Sequence, residues 1–219
     1  MITSHTLLVY AHILLMVFWI GADIGVFIAG LFFRDPRRSI EARQTVIEAG
    51  MVVDALPRLC FVMMGPVGFQ LAVDLQLFQV PVWAAPAVWI GGLIWASCAL
   101  VGILKPFTPL SKATHKVERV FQTAGVVAGL VGLWSLVVGA PIAEPWLAGK
   151  LLAWGVCCAL IVPLELAFNP VMAAFGQIAA TGSTPALESR LTRSLYISYI
   201  YVIGIYIAVL IAAFLGVTR

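Results

Sequence analysis

The chain has 219 residues, 62% of them hydrophobic and only 11% charged, with a formal net charge of +3. Soluble globular domains carry about 25% charged residues, so this composition excludes a water-soluble domain: too few charges remain to wet a surface. The small basic excess is scattered over three loops rather than gathered in one patch, which excludes a nucleic-acid partner.

About 20 apolar residues cross one bilayer core as a helix. The chain therefore holds about six spans and reads as an all-α integral membrane protein, a single transmembrane domain over 1–219 with the lipid bilayer as its partner. Span 1 covers about 6–33. It is too long for a signal-peptide core, and no Lys or Arg precedes it, so it reads as a retained span. Arg34, Asp35 and Pro36 end it. In the polar connector 39–55, Ile40, Ile47 and Met51 recur at helical spacing, which points to an interfacial helix. Span 2, about 59–78, contains Gly65-Pro66, a kink signal that neighbouring helices can tolerate. Span 3, about 82–104, opens on Trp83 and Trp89 in the manner of an interfacial aromatic belt. A basic loop, 105–119, leads to span 4, about 120–139, whose Gly125, Gly129 and Gly132 suit close helix packing. Span 5, about 146–168, closes at Asn169-Pro170; a linker follows to Arg193, and span 6 is about 194–217. No repeat relates the two halves, so an inverted-repeat transporter has no support. The four cysteines, Cys60, Cys98, Cys157 and Cys158, fall in apolar stretches without a CxxC spacing and read as small buried hydrophobes.

Eleven of the thirteen basic residues fall in the connectors after spans 1, 3 and 5; only Lys150 and Arg219 lie on the other side. The positive-inside rule then places both termini outside the cytoplasm, in the inner (plasma) membrane of a cell.

An ionisable residue inside a span costs about 2.5–3.5 kcal/mol on insertion scales, so each needs a reason. Span 1 contains His12 and Asp23, and span 5 contains Lys150 and Glu165. His5, His12, Trp19 and Asp23 share one helical stripe, and Gly21 and Gly25 beside it form a small-xxx-small pair that permits close helix approach. At about 1.5 Å per residue, His12 and Lys150 lie about 9 and 6 Å below the outer surface, and Asp23 and Glu165 about 25 and 28 Å below it. Spans 1 and 5 thus carry polar groups at two matching levels. If the spans adjoin, the upper level pairs His12 with Lys150 and the lower pairs two carboxylates suited to proton relay. If they do not, Lys150 snorkels to the headgroups, Glu165 pairs with a loop arginine, and His12 and Asp23 are interhelical glue.

The His12 imidazole can ligate a haem iron. A bis-His site needs a second His at the same depth on another helix; His5 shares span 1, and His115 lies in the basic loop. A haem would therefore use His12 with a non-His ligand or remain five-coordinate. Met63 and Met64 lie nearer the inner side.

The run from His12 to Gly21, HILLMVFWIG, resembles the first span of a membrane superfamily that includes HemJ-type protoporphyrinogen IX oxidases and CopD-like copper-resistance proteins. The segment Pro145 to Leu152, PWLAGKLL, is similar to the opening of a later span in that group, and Pro66 and Gly68 after the connector arginines are compatible with it. The resemblance covers about half the chain. It implies haem b bound with a functional His and Lys, which map to His12 and Lys150. The chain departs in having six apparent spans against about four. It also lacks the further span-end histidines and has no Met- or His-rich copper cluster.

Three readings follow: a haem-binding, redox-linked protein using His12 and Lys150; a proton-coupled or metal-ion transporter using Asp23 and Glu165; and a non-catalytic subunit or assembly partner of a larger membrane complex. Soluble-enzyme motifs (phosphate loop, dinucleotide fingerprint, HExxH, GxSxG) do not occur.

Overall fold

The structure is a computed structural model that describes residues 3–105 and 108–218; Arg219, counted above on the outer side, lies outside them. The described residues form seven helices: α1 (Ser4–Phe33), α2 (Ile40–Val53), α3 (Ala55–Asp74), α4 (Ala84–Leu104), α5 (Pro109–Val138), α6 (Pro145–Thr181) and α7 (Pro185–Val217). The fold is an all-α membrane bundle. Five helices, α1, α4, α5, α6 and α7, are long and apolar enough to cross a bilayer.

α3 is less apolar, yet it runs antiparallel to α1 over nearly its whole length. His5 is 4.0 Å from Asp74, His12 faces Gly68, Trp19 packs on Phe61 with ring centroids 5.1 Å apart, and beyond them Gly25 faces Val53 at the end of α2. Twenty residues of helix reach about 30 Å, the thickness of the hydrocarbon core. The main packing partners run in sequence, α1 on α3, α3 on α4, α4 on α5, α5 on α6 and α6 on α7, and α7 touches back on α1. Six long helices thus form a ring. α2 lies outside it, against α1.

The helices differ from the sequence expectation where proline and basic residues predict breaks. The basic loop 105–119 is helical from Pro109, because the Thr108 hydroxyl accepts from the Ser111 N–H at 3.1 Å and Pro109 takes the first turn, where its missing N–H costs nothing. Span 5 does not close at Pro170. α6 continues to Thr181, since Val171, Ala174, Phe175 and Ile178 bury one face in a second core with Phe33, Leu191, Leu195 and Tyr199. The linker to Arg193 is therefore helix on both sides of a short turn. Thr184 caps α7 by accepting from the Leu187 N–H at 3.3 Å, with Pro185 following. At 37 residues α6 is about 55 Å long and projects well beyond a 30 Å core at the basic end.

Two helix contacts separate the glycine motifs. Gly129 and Gly155 bring the α5 and α6 backbones together: a Cβ on Gly129 would stand 2.7 Å from the Gly155 Cα. Gly21, by contrast, has nothing within 4 Å of a built Cβ, and Gly25 meets only Val53 at 3.8 Å. The small-residue pair on α1 does not mark a close helix approach.

Candidate functional site

A cavity of about 1160 Å³ lies inside the ring, with residues from all six long helices in its wall. It runs from the level of His5 and Trp83 down to a floor of packed aromatic rings. In that floor Trp95 stacks on Phe121 at 5.5 Å, Phe61 meets Trp95 edge-on at 5.4 Å, and Trp154 lies 6.0 Å from Phe61. These rings are wide, and the glycines opposite them set how they seat. Gly65 leaves room for the edge of Trp154, where a Cβ would stand 3.1 Å from Cζ2, and Gly92 leaves room for Pro66.

His5, His12 and Trp19 of the α1 stripe all face this cavity. Trp19 is only 6% exposed, so it is a core residue and not a headgroup anchor. The His12 imidazole fits against Gly68, where a Cβ would stand 3.3 Å from its Cε1. Its Nδ1 is sealed from solvent and has no hydrogen-bond partner, as is the Trp154 Nε1. A buried polar atom without a partner costs about 1–3 kcal/mol; the His12 Nδ1 and the edge of the Trp154 ring both lie against α3, at Gly68 and Gly65.

Lys150 lines the same cavity, one helical turn before Trp154. It acts electrostatically on His12. The charged end of its side chain lies against Gly216 of α7, and its ammonium is 5.8 Å from the centre of the Trp146 ring. α1 and α6 are not a closely packed pair; His12 and Lys150 look into one space from different walls.

Asp23 and Glu165 have separate surroundings at the basic end. Asp23 interacts with the Tyr206 side chain and with Asp54 and Arg58. Glu165 is ion-paired with Arg119, whose other guanidinium nitrogen donates to Gln122 at 2.9 Å. Arg58 is the shared cation of this layer. It pairs with Asp54 at 2.5 Å and lies in the field of Glu118 and Glu165. Glu118 also meets His115, whose Nδ1 is 3.1 Å away. His115 is thus on α5 and engaged at the basic end, far from His12.

Sequence reasoning named Gly68 only as part of a family resemblance and passed over Trp154, Arg58 and Tyr206 as site residues. One signal was present for Trp154: Trp146, Lys150, Trp154 and Cys158 recur every four residues, a stripe as regular as that of α1. Tyr206 gave none, and for Gly68 the resemblance did not indicate a contact with His12, since both roles depend on which helix lies opposite. Of the cysteines, Cys60, Cys157 and Cys158 are buried in the central core and Cys98 is partly exposed.

The residue set fits a large, mainly apolar ring with an acidic edge. The cavity is somewhat larger than the usual range for small-molecule sites, about 300–1,000 Å³, and has the usual mix of apolar wall and a few convergent polar groups. One imidazole suffices for a haem iron. Among the described residues no three His, Cys, Asp or Glu side chains converge to hold a bare metal ion. No family model, no curated protein and no solved structure matches this chain.

Proposed function

We propose that this multi-pass protein of the inner membrane holds haem b, or a flat redox-active ring of similar size, in the cavity at His12. The observation that carries the reading is the half-buried His12 imidazole, its Nδ1 without a hydrogen-bond partner, in the wall of a 1160 Å³ aromatic-floored cavity that it shares with Lys150. The likeness of the first and fifth spans to HemJ- and CopD-like proteins supports it.

In this reading His12 ligates the iron, and Gly68 leaves the imidazole the space it needs to face the cavity. Lys150 binds a propionate or other anionic edge near the mouth, where its charge is least costly. The aromatic floor stops the ring at mid-depth and keeps water out of the lower bundle. When bound, haem would supply one-electron chemistry, and this reading implies a membrane redox partner or complex subunit. The ion pairs around Arg58, Arg119, Asp54 and Glu165 serve as interhelical glue at the basic end, which faces the cytoplasm by the positive-inside rule.

The test is a visible spectrum of detergent-purified protein from haem-replete cells, with and without dithionite. The expected result is a Soret band that is lost in His12→Ala and weakened in Lys150→Ala. A colourless wild-type preparation overturns the reading.

A further inference from the structure

A second, polar pocket of about 300 Å³ lies at the opposite, basic end, between the last turn of α1 and the side of α7. Leu31, Arg34, Asp35, Pro36, Arg37 and Thr192 line it. It sits where the apolar run of α1 stops, so its depth is that of the lipid headgroups.

Arg34 and the adjacent Arg38 stack on neutral rings, while Arg37 pairs with Asp35, which also lies 3.8 Å from Arg38. The Arg34 guanidinium lies 4.7 Å over the Tyr196 ring. Arg38, next to the pocket, lies 4.6 Å over Phe32. Stacking on a ring fixes the direction of a guanidinium and leaves its N–H donors available. Among the described residues no ion pair engages Arg34, Arg190 or Arg193. Arg193 comes one residue after Thr192 and three before Tyr196, which brings it to the same side of α7.

One acid belongs to the set. Asp35 accepts from the Arg37 side chain at 2.9 and 3.0 Å and from the Arg37 backbone N–H at 3.1 Å. These bonds hold its carboxyl down at about 2, so it stays charged. Arg34, Arg37, Arg38 and Arg193 outweigh this single carboxylate and leave the pocket strongly positive.

Toward the membrane from the pocket, both helices present exposed apolar side chains: Ile28 and Phe32 on α1, Tyr196 and Ile200 on α7. Cations at headgroup depth above an apolar surface match the two ends of an anionic lipid. Arg forks also match phosphate oxygens in geometry.

We propose that this pocket binds a phosphate group through Arg34 and Arg37, with Thr192 as a hydroxyl partner and Arg38 and Arg193 as flanking charges. Its depth favours the headgroup of an anionic phospholipid as the source, with a soluble phosphate ester as the other.

Purified full-length protein is exchanged into detergent micelles doped with phosphatidylglycerol or with phosphatidylcholine, and lipid retention is read by native mass spectrometry. Phosphatidylglycerol is expected to be retained preferentially. Arg34→Gln should lower that preference about fivefold, the effect of removing one arginine charge near a membrane surface. Millimolar glycerol 3-phosphate separates the sources: no competition identifies the lipid headgroup, and competition that Arg34→Gln abolishes identifies a soluble ester. Asp35→Asn removes the one negative charge and should raise retention, which keeps the proposal testable if Arg34→Gln misfolds. Equal retention of the two lipids overturns the proposal, as does an unchanged preference in a folded Arg34→Gln. An Asp35→Asn protein with unchanged or weaker retention also overturns it.

Discussion

The His12 imidazole rests against Gly68: a methyl group at position 68 would stand 3.3 Å from the His12 Cε1. The gap is tight enough that the ring must shift by a few tenths of an ångström to admit even a methyl. Gly68→Ala should therefore reduce and shift the Soret band of the proposed haem complex, and Gly68→Leu should abolish it. Helix content by circular dichroism should stay unchanged in both. A full-strength band in Gly68→Leu would show that His12 does not hold the ring.

Arg43 is the most deeply buried charge in the bundle, 1% exposed. It donates to both carboxylate oxygens of Glu188 at 2.7 and 2.9 Å and to the Phe33 carbonyl at 2.7 Å, and so ties α2 and the end of α1 to the start of α7. Removing one partner of a buried pair leaves the other charge unpaired, at a cost of about 3–5 kcal/mol. Glu188→Ala should lower the thermal midpoint sharply in detergent. Replacing both residues with apolar ones should recover much of the loss. A single substitution without effect would mean that water reaches Arg43.

Gly155 and Gly21 make a contrasting pair. A Cβ on Gly155 would press on the Gly129 backbone, 2.9 Å from its nitrogen, and a backbone cannot rotate aside. Gly155→Ala should destabilise the α5–α6 contact by about 1–3 kcal/mol, the usual cost of overpacking. Gly21→Ala meets open space and should gain up to about 1 kcal/mol from helix propensity. Unfolding curves of the two variants, measured in the same micelle, should move in opposite directions.

The place of α3 in the ring makes a topological prediction. Arg37, after α1, and Gln79, after α3, should lie on opposite sides of the membrane. Cysteines introduced at these two positions should react with an impermeant maleimide from opposite faces of sealed vesicles. Labelling of both from one face would mean that α3 does not cross.

Length, apolar content and the spacing of the basic connectors are local properties, and they determined the class of protein, its repeated crossings and the stripe on α1 that carries His5, His12 and Trp19. These follow from the chain because every span must satisfy the same lipid, whatever its neighbours are. The ends of the helices were less legible. Pro170 reads as a stop, yet α6 continues past it because α7 and the end of α1 bury the next two turns. Pairings between helices were legible only as alternatives, of which a loop-arginine partner for Glu165 was one. Asp23 and Glu165 share a depth, but Glu165 is held by Arg119 and Asp23 adjoins Tyr206, since depth along an axis does not specify the azimuth at which two helices face each other. The same limit hid the contact of Gly68 with His12 and the place of Trp154. Only the closing of six helices into a ring turned an isolated histidine and a lysine on distant segments into two walls of one cavity.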